Sequence, residues 1–282
     1  MGNESHPLVT VIIAVYNAKA TLRQCLDSVI LQTYRELELI VVDGGSSDGT
    51  VDMLNEYSQQ ISYWISEPDR GIYNAWNKAI AQAKGEWICF LGADDFLWDE
   101  QVLSQVALQL VRVPPEIGVA YGKICLLSNE GRVLYSIGEP WEEVRERFRQ
   151  LMCIPHPATL QRRSLFTRRG CFDESFRIAG DYEWLLRELK DGDAYFIPDL
   201  VFAAMRQGGV SSDPANTLLG LKEVRLAQRK NGLRWPGLTW LMALARAYTR
   251  LLLWAVVGER MTRSMLDFGR RIRGLPEHWT RT

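Results

Sequence analysis

The sequence predicts an α/β protein: a Rossmann-like, mostly parallel sheet flanked by helices, followed by a helical and basic C-terminal extension. Short β-branched runs alternate with amphipathic segments over residues 8–100, which is typical of parallel strands joined by helical crossovers. Polar residues follow each run, where such sheets bind ligands. The chain has a net charge of −1, yet residues 222–282 contain 13 Lys/Arg against 4 Asp/Glu. The acidic body and the basic extension are therefore expected to meet different partners.

The first hundred residues contain four predicted strands with a helix after each of the first three. The apolar runs that predict buried strands are LVTVIIAV (8–15), LELIVVD (37–43), ISYWIS (61–66) and WICFLGAD (87–94). Apolar residues at helical spacing predict helices over 18–30, from about 48 to 57, and over 72–83. Asp48 is the expected N-cap of the second helix, and Gly85 closes the third.

The pattern changes after residue 100. GVAYGKICLL and RVLYSI, joined by SNEG, predict a pair of antiparallel strands. An amphipathic segment follows at 141–152, and the chain is expected to be helical from about 214. We predict a main domain over 1–212, divided at about residue 100 by this change of pattern, and an extension over 213–282.

Composition places the chain among ordinary globular proteins, with 47% apolar and 24% charged residues. Its five cysteines form no CxxC pair and no cluster with zinc-ligand spacing, so we expect reduced thiols in a cytoplasmic protein. Residues 1–8 lack the apolar core of a signal peptide.

The predicted strands deliver polar groups to one edge of the sheet. Tyr16 and Asn17 follow the first strand and Asp43 ends the second; the further strand-end acids are Glu67, Asp69, Asp94 and Asp95. Independent turns and helix caps are the alternative explanation, because Asp is common at both. The repetition over four successive strands favours a binding site.

Adjacent aspartates without His or Cys nearby are hard oxygen ligands, which suit Mg²⁺ or Mn²⁺. Magnesium takes one or two carboxylates together with substrate phosphates, so the acidic edge predicts a diphosphate-bearing substrate. Carboxylates also accept hydrogen bonds from ribose hydroxyls or a base N–H. Neither GxGxxG nor GxxxxGK[ST] occurs in the sequence, which argues against hydride transfer and P-loop chemistry.

Three segments, taken together, resemble family 2 inverting glycosyltransferases of the GT-A fold, a class of nucleotide-diphospho-sugar transferases. They are VTVIIAVYNAKATLRQCLDSVILQTYRELELIVVDGGSSDGT, SEPDRGIYNAWNKAIAQAKGEWICFLGADD and PHPATLQRRSLFTRRGCFDESFRIAGDYEWLLREL. The resemblance covers residues 8–212 approximately, with its motifs in the family's order. It implies a GT-A catalytic domain over 1–212, with a nucleotide-sugar half (8–100) and an acceptor half (101–212).

The resemblance implies a role for each matched position. The loop at Ala14, Tyr16 and Asn17 would lie against the nucleotide. Asp43 would hold the base, with Ser46 and Asp48 close by, and Asp69 would approach the sugar-nucleotide. Asp95 would be the direct metal ligand and Asp94 would lie nearer the ribose, although two adjacent aspartates leave this division open. Asp181, in AGDYEW, would be the general base.

The residue types fit such a reaction. Displacement at the anomeric carbon requires a base for the acceptor hydroxyl and stabilisation of the departing diphosphate. Asp181 is expected at a helix N-terminus, which favours its ionised form, and a simple N-cap is the alternative interpretation. Glu183 is a rival base, but two residues further along a helix it points elsewhere.

Two further residues are weaker candidates on the acceptor or diphosphate side. His156 matches an acceptor-side position in many relatives, and a structural role beside two prolines is the alternative. Arg206, before QGGVSS, is placed to meet the diphosphate, unless it is an ordinary solvated arginine.

The sequence of the extension predicts a helix that lies on the surface of an anionic membrane. LMALARAYTRLLLWAVV (241–257) is apolar, yet holds Arg246 and Arg250, and tryptophans and arginines flank it. It is short and charged for a membrane span. An amphipathic helix docked on the catalytic domain is the alternative, and nucleic acid is not expected because the acidic body repels phosphates. Peripheral contact through 235–273 would place the protein at the inner face of the plasma membrane.

The predicted function is transfer of a sugar from a nucleotide-diphosphate donor, UDP-sugar favoured, to a glycan or polyprenyl-linked acceptor. The resemblance implies a setting in polysaccharide or cell-envelope biosynthesis. A metal-dependent nucleotidyltransferase or pyrophosphatase would use the same acidic edge without Asp181. A non-catalytic nucleotide-sugar-binding membrane scaffold would bind donor and metal without turnover.

Overall fold

The structure, a computed structural model, describes residues 6–128, 130–207, 214–272, 274 and 279–280. Its strands are β1 (Val9–Val15), β2 (Leu37–Asp43), β3 (Tyr63–Ser66), β4 (Trp87–Gly92), β5 (Phe96–Leu97), β6 (Val119–Leu127), β7 (Val133–Ile137), β8 (Thr159–Arg162) and β9 (Tyr195–Arg206). Its α-helices are α1 (Leu22–Ile30), α2 (Thr50–Glu56), α3 (Ile72–Gln82), α4 (Val102–Leu110), α5 (Trp141–Phe148), α6 (Arg163–Arg169), α7 (Gly180–Leu189), α8 (Pro214–Lys230), α9 (Leu238–Val257) and α10 (Glu259–Ile272).

These strands form a single sheet in the order β3-β2-β1-β4-β8-β6-β9-β5, with β7 paired to β6. The first four strands in this order are parallel, as the alternating sequence predicts. Beyond β4 the sheet is mixed, because β8 runs antiparallel to both β4 and β6. The predicted hairpin is confirmed by the antiparallel pairing of β6 with β7. The fold is therefore the expected mixed α/β architecture.

The sheet is buried on both faces because successive side chains on a strand point to opposite sides. On β1, Val11 and Ile13 belong to the core cluster that includes residues of α1 and α4, whereas Ile12 belongs to the cluster on the other face, with residues of α3, α5 and α7. Continuous apolar strands are what a sheet covered by two helical layers requires. This packing fixes the strand ends, and with them the acidic loops.

Three helix boundaries differ slightly from the sequence prediction. Helix α1 begins at Leu22 rather than at residue 18. Helix α3 ends at Gln82 with Ala83 as its C-cap, so Gly85 is not its closing residue. Helix α2 begins at Thr50, with Gly49 in the left-handed conformation at its N-cap. Asp48 stands one residue earlier than a cap, and its Oδ1 accepts the backbone N–H of Thr50 at 3.0 Å. Its Oδ2 accepts the backbone N–H of Lys19 from the neighbouring loop. Asp48 is displaced from the cap because it joins two loops.

The three C-terminal helices differ in how they are covered. Helix α8 packs on α7 and buries Val224 and Ala227 in the second core cluster. Helix α9 is 20 residues long and only 6% buried over its most apolar window, so its length and composition would allow it to cross a membrane. This helix is longer than the apolar segment identified in the sequence.

The predicted domain boundary at 212–213 lies among residues 208–213, outside the described residues.

Candidate active site

The carboxyl ends of the four parallel strands are aligned at one edge of the sheet. In the register of the sheet, Val15 lies opposite Asp43, Asp43 lies opposite Ser66, and Ala14 lies opposite Gly92. The loops that leave these positions carry the polar residues predicted to form the site. Their convergence follows from the parallel register.

The loops after β1 and β2 are joined by hydrogen bonds. The backbone N–H of Asn17 donates to Ser46 Oγ at 2.7 Å, and the backbone N–H of Ser47 donates to Asn17 Oδ1 at 2.9 Å. Asn17 adopts a positive φ of 48°, a conformation that Asn tolerates better than most residues. The two loops therefore form one preorganised surface containing Asn17, Ser46 and Asp48.

Asp43 is fully buried and its carboxylate accepts four hydrogen bonds. Its partners are the backbone N–H groups of Gly45 and Ser46 and the hydroxyls of Ser46 and Ser66, at 2.5–3.0 Å. Three of these bonds go to Oδ2 and one, from the Ser46 hydroxyl, goes to Oδ1. Each carboxylate oxygen has two acceptor positions, so Oδ1 keeps one position for the N–H of a nucleotide base.

Tyr16 and Asp69 both lie against Gly44. A Cβ atom placed on Gly44 would stand 2.6 Å from Asp69 Oδ2 and 3.4 Å from the Tyr16 ring. The Tyr16 side chain is 66% exposed, which leaves its ring available to a ligand. Asp69 is held in turn by the backbone N–H of Gly71, which donates to Oδ1 at 2.8 Å. The structure thus brings both predicted donor-side residues together.

Asp94 and Asp95 converge on Gly92, the last residue of β4. A Cβ atom on Gly92 would lie 2.8 Å from Asp94 Oδ1 and 2.8 Å from Asp95 Oδ2. Burial, together with the neighbouring charge of Asp94, raises the pKa of Asp95 to about 8. The backbone N–H of Arg206 donates to Asp95 Oδ1 at 3.2 Å and opposes this shift. Two carboxylates held this close gain most from a shared cation.

The carboxylates of Asp94 and Asp95 fit a divalent hard cation that would also bind the substrate. Both ligands are carboxylates, which suit Mg²⁺ or Mn²⁺. Within the described ranges, no group of three or more His, Cys, Asp or Glu could enclose a metal ion by itself. Asp94 and Asp95 would therefore hold the metal on one side, and a diphosphate would complete its coordination.

Arg206 is the last residue of β9 and contacts both Asp94 and Asp95. Its Nε donates to the backbone carbonyl of Asp94 at 3.1 Å, its guanidinium also bonds Gln24, and it stacks over the Phe96 ring. The structure thus places Arg206 beside the two carboxylates, consistent with its predicted position near a diphosphate. Its role there stays a prediction.

Asp181 lies in the first turn of α7, as predicted. Its Oδ1 accepts the backbone N–H of Tyr182 at 2.8 Å. Burial raises the pKa of Asp181, while nearby His156 and this backbone N–H act in the opposite direction. Glu183, the rival base, is buried and forms an ion pair with Arg187 at 2.5 Å. Within the described part of the chain, Asp181 forms no ion pair, in contrast to Glu183.

His156 is buried in an aromatic cluster. Its ring stacks on Phe90 at 5.5 Å and lies 5.1 Å from the Trp76 ring, and Nε2 is 3.3 Å from the Gln161 amide. Burial lowers the pKa of His156, against the opposing effect of Asp181, so the imidazole is neutral near pH 7. Among the described residues, the indole N–H of Trp76 and the side-chain oxygen of Gln161 have no hydrogen-bond partner.

Two supporting residues were missed by the sequence analysis. The Tyr73 hydroxyl accepts the backbone N–H of Gly180 at 2.8 Å, and Glu223 on α8 accepts the three preceding N–H groups. Tyr73 occurs at core spacing on α3 and looks like a packing residue. The available signal for Glu223 was its position as one of only four acids in the basic segment 222–282.

The chain is similar in sequence to known proteins. The model of "Glycosyl transferase family 2" matches residues 10–170. A "PGL/p-HBAD biosynthesis glycosyltransferase" of Mycobacterium bovis is 30% identical over 245 residues, which is 82% of this chain and 91% of that protein. An uncharacterised glycosyltransferase of Mycobacterium tuberculosis is 34% identical over 188 residues, covering 65% of this chain and 69% of the relative.

Three solved structures, of two proteins, share the fold. S. aureus TarS residues 1–349 in complex with UDP-GlcNAc align with a TM-score of 0.61 and 17% identity, over 78% of this chain and 66% of that one. In a second TarS 1–349 structure, with UDP, this chain spans 64% of the solved chain at a TM-score of 0.60. The mannosyltransferase PcManGT from Pyrobaculum calidifontis, with GDP-Man and Mn²⁺, aligns with a TM-score of 0.61 and 19% identity, over 95% of this chain and 81% of that one.

The sheet, its acidic edge and these similarities define an α/β protein of the GT-A fold. The chain belongs to glycosyl transferase family 2.

Proposed function

We propose that the protein is an inverting, metal-dependent glycosyltransferase that moves a sugar from a nucleotide-diphosphate donor to a glycan or lipid-linked acceptor. The observation that carries the proposal is the presence of two distinct carboxylate sites. One is the pair Asp94 and Asp95 converging at Gly92, and the other is the single carboxylate of Asp181 at the start of α7. Transfer from a diphosphate donor needs one site for each side of the reaction.

The residues divide the work as follows. Asp95 and Asp94 would hold Mn²⁺ or Mg²⁺, which when bound stabilises the negative charge of the departing nucleoside diphosphate. Arg206 would add positive charge on the same side. Asp181 would accept the proton of the acceptor hydroxyl as its oxygen attacks the anomeric carbon. A single displacement inverts the configuration at that carbon.

His156 and its neighbours would form the acceptor side. The Trp76 N–H is a buried donor and the Gln161 oxygen a buried acceptor, and neither has a partner among the described residues. Buried polar groups normally have hydrogen-bond partners. Sugar hydroxyls of the bound substrates could supply them, because a hydroxyl both donates and accepts.

The donor and the setting are proposed from the similar proteins. UDP-sugar is our preferred donor, since TarS was solved with UDP-GlcNAc, although PcManGT was solved with GDP-Man. The similarity to a PGL/p-HBAD biosynthesis glycosyltransferase supports a role in cell-envelope glycan or glycolipid synthesis.

Calorimetric titration tests the donor side. UDP, GDP and dTDP would be titrated into the wild type and into Asp95→Ala, each with Mn²⁺ and with EDTA. We expect one nucleotide to bind with Mn²⁺ and to lose that binding in the variant. Absence of binding for all three nucleotides under both conditions would contradict the proposal. Asp181→Asn then separates transfer from nucleotidyl transfer or pyrophosphate hydrolysis, which do not need this base.

We also propose that α9 and α10 contact an anionic membrane from the cytoplasmic side. Both helices expose large apolar side chains: Leu238, Leu241, Met242, Tyr248, Leu252, Val256, Val257, Met261, Met265, Phe268 and Ile272. Arginines accompany them, including Arg246, Arg260 and Arg271. Apolar and cationic residues together are typical of an interfacial helix, and such a location would bring the site to a polyprenyl-linked acceptor.

Vesicle sedimentation of the full chain tests this contact. We expect binding to phosphatidylglycerol-containing vesicles, weakened by Leu252→Asp on α9. Leu108→Asp is the matched control, because Leu108 on α4 is 56% exposed and Leu252 is 65% exposed. Equal binding by both variants and the wild type would contradict a membrane contact through α9.

A further inference from the structure

Glu223 lies on α8, beyond the segment matched by the family model, and it hydrogen-bonds the loop that leads into Asp181. Its Oε1 accepts the backbone N–H of Arg177 at 2.9 Å. Its Oε2 accepts the N–H groups of Ile178 and Ala179 at 2.8 and 2.9 Å. The Glu223 side chain reaches three consecutive amides and belongs to a residue that is only 7% exposed.

The charge of Glu223 is compensated by these amides. No Lys, Arg or His within the described ranges forms an ion pair with it. A buried carboxylate is costly unless it is hydrogen-bonded, so the three N–H groups and the carboxylate stabilise one another. Ala179 is the N-cap of α7, so its amide also lies at the positive end of the helix dipole, which favours an anion there.

Tyr73 completes this support. Its hydroxyl accepts the next amide along the chain, that of Gly180. A Cβ on Gly180 would stand 2.7 Å from the Tyr73 ring, so the backbone rests directly on this ring. Four successive amides, 177–180, are thus fixed by side chains from α3 and α8, and Asp181 is the next residue.

Helix α8 is itself anchored to the catalytic body. Gln228 donates to the backbone carbonyl of Gln150 at 2.8 Å, and Lys230 bonds Asp173. Val224, beside Glu223, packs in the second core cluster. A displacement of α8 would therefore be transmitted through Glu223 to the backbone that carries Asp181.

We propose that Glu223 is a positioning residue for the base Asp181, so that the first helix of the extension is required for catalysis. The inference rests on the proposed function, in which Asp181 takes the acceptor proton. Misplacement of a reacting group by about 1 Å costs on the order of 100-fold in rate. Donor binding, which uses the strand ends, does not depend on Glu223.

The test compares Glu223→Gln with Glu188→Gln. Glu188 is also buried, at 8% exposure, and lies on α7, where it pairs with Arg168 and Arg169. The assay is release of nucleoside diphosphate from the sugar-nucleotide by water, alongside nucleotide binding by calorimetry and thermal unfolding. We expect Glu223→Gln to lower kcat by about 10- to 100-fold with unchanged nucleotide Kd. Glu223→Asp, which keeps the carboxylate, should recover part of the rate.

Hydrogen exchange supplies a readout that needs no turnover. The amides of Arg177, Ile178 and Ala179 should exchange slowly in the wild type and in Glu188→Gln, and fast in Glu223→Gln. Equal protection in both variants would overturn the inference, as would an unchanged kcat in Glu223→Gln or an equal loss in Glu188→Gln. If Asp181→Asn hydrolysed the sugar-nucleotide at the wild-type rate, that result would instead overturn the proposed function.

Discussion

The donor side and the base side of the candidate site are built in different ways. On the donor side, Asp43 takes its hydrogen bonds from Gly45, Ser46 and Ser66, which belong to the loop and strand next to it. On the base side, the backbone before Asp181 is held by Tyr73, 107 residues before Gly180, and by Glu223, 44 residues after Ala179.

The difference shows which part of the fold positions each side, and therefore which substitutions should disturb it. Loops at the ends of parallel strands are positioned by the register of the sheet itself, so their geometry depends on the most buried part of the protein. The start of α7 is positioned by two other helices, so it depends on how α3 and α8 pack. Changes on the base side should therefore reduce turnover while nucleotide binding stays intact.

The largest effect is expected from Asp181→Asn. Loss of a general base costs about 10²- to 10⁴-fold in rate, so kcat should fall within this range while nucleotide Kd stays unchanged. Burial opposes the charge of this carboxylate, so the variant should also be at least as stable as the wild type in thermal unfolding. A parallel loss of nucleotide affinity would show that the two sides are not separable.

The next effect distinguishes Asp95 from Asp94. Asp95→Asn should weaken Mn²⁺-dependent nucleotide binding by at least about 10- to 100-fold, the range found when even the partners of metal ligands are removed. Asp94→Asn should cost less, because Asp94 is the more exposed of the pair. Calorimetry with Mn²⁺ and with EDTA measures both, and Asp52→Asn on the exposed face of α2 is the control. The reverse order would exchange their predicted roles.

A smaller effect is expected from an added methyl group on the base side. Gly180→Ala would press on the Tyr73 ring at 2.7 Å, whereas a Cβ on Gly220 in α8 would meet nothing closer than 3.5 Å. Gly220→Ala should stabilise the protein by about 0.5–1 kcal/mol, as Ala does in helices. Gly180→Ala should lower both kcat and thermal stability, and retention of both would mean that the Tyr73 contact is not needed.

The smallest effect concerns pH. Asp181 must be ionised to act as a base and burial raises its pKa, so kcat should fall on acidification at a higher pH than an exposed Asp would give. Burial also lowers the pKa of His156, so protonation of this imidazole should not contribute a decline near its usual pH of about 6.5. A pH–rate profile of nucleoside diphosphate release measures this fall of kcat at acidic pH (the acidic limb of the profile). Asp181→Asn should abolish the acidic limb. A limb that survives in that variant would belong to another group.

Much of the first half of the fold could be predicted from the sequence. The strand LELIVVD is observed as β2 with the predicted ends, and the parallel block appears where the alternating pattern places it. The mixed second half was less predictable, because β8 is four residues long and enters the sheet between β4 and β6. A strand that short has no distinctive periodicity.

The sequence alone determined the acidic edge and the membership of the family. A parallel sheet brings successive strand ends together without further information, so Asp43, Asp69, Asp94 and Asp95 could be grouped from their positions along the chain. Only the tertiary structure decided how Asp181 is supported. Tyr73 and Glu223 reach its backbone through the packing of α3 and α8, and contacts over such separations leave no periodic pattern in the sequence.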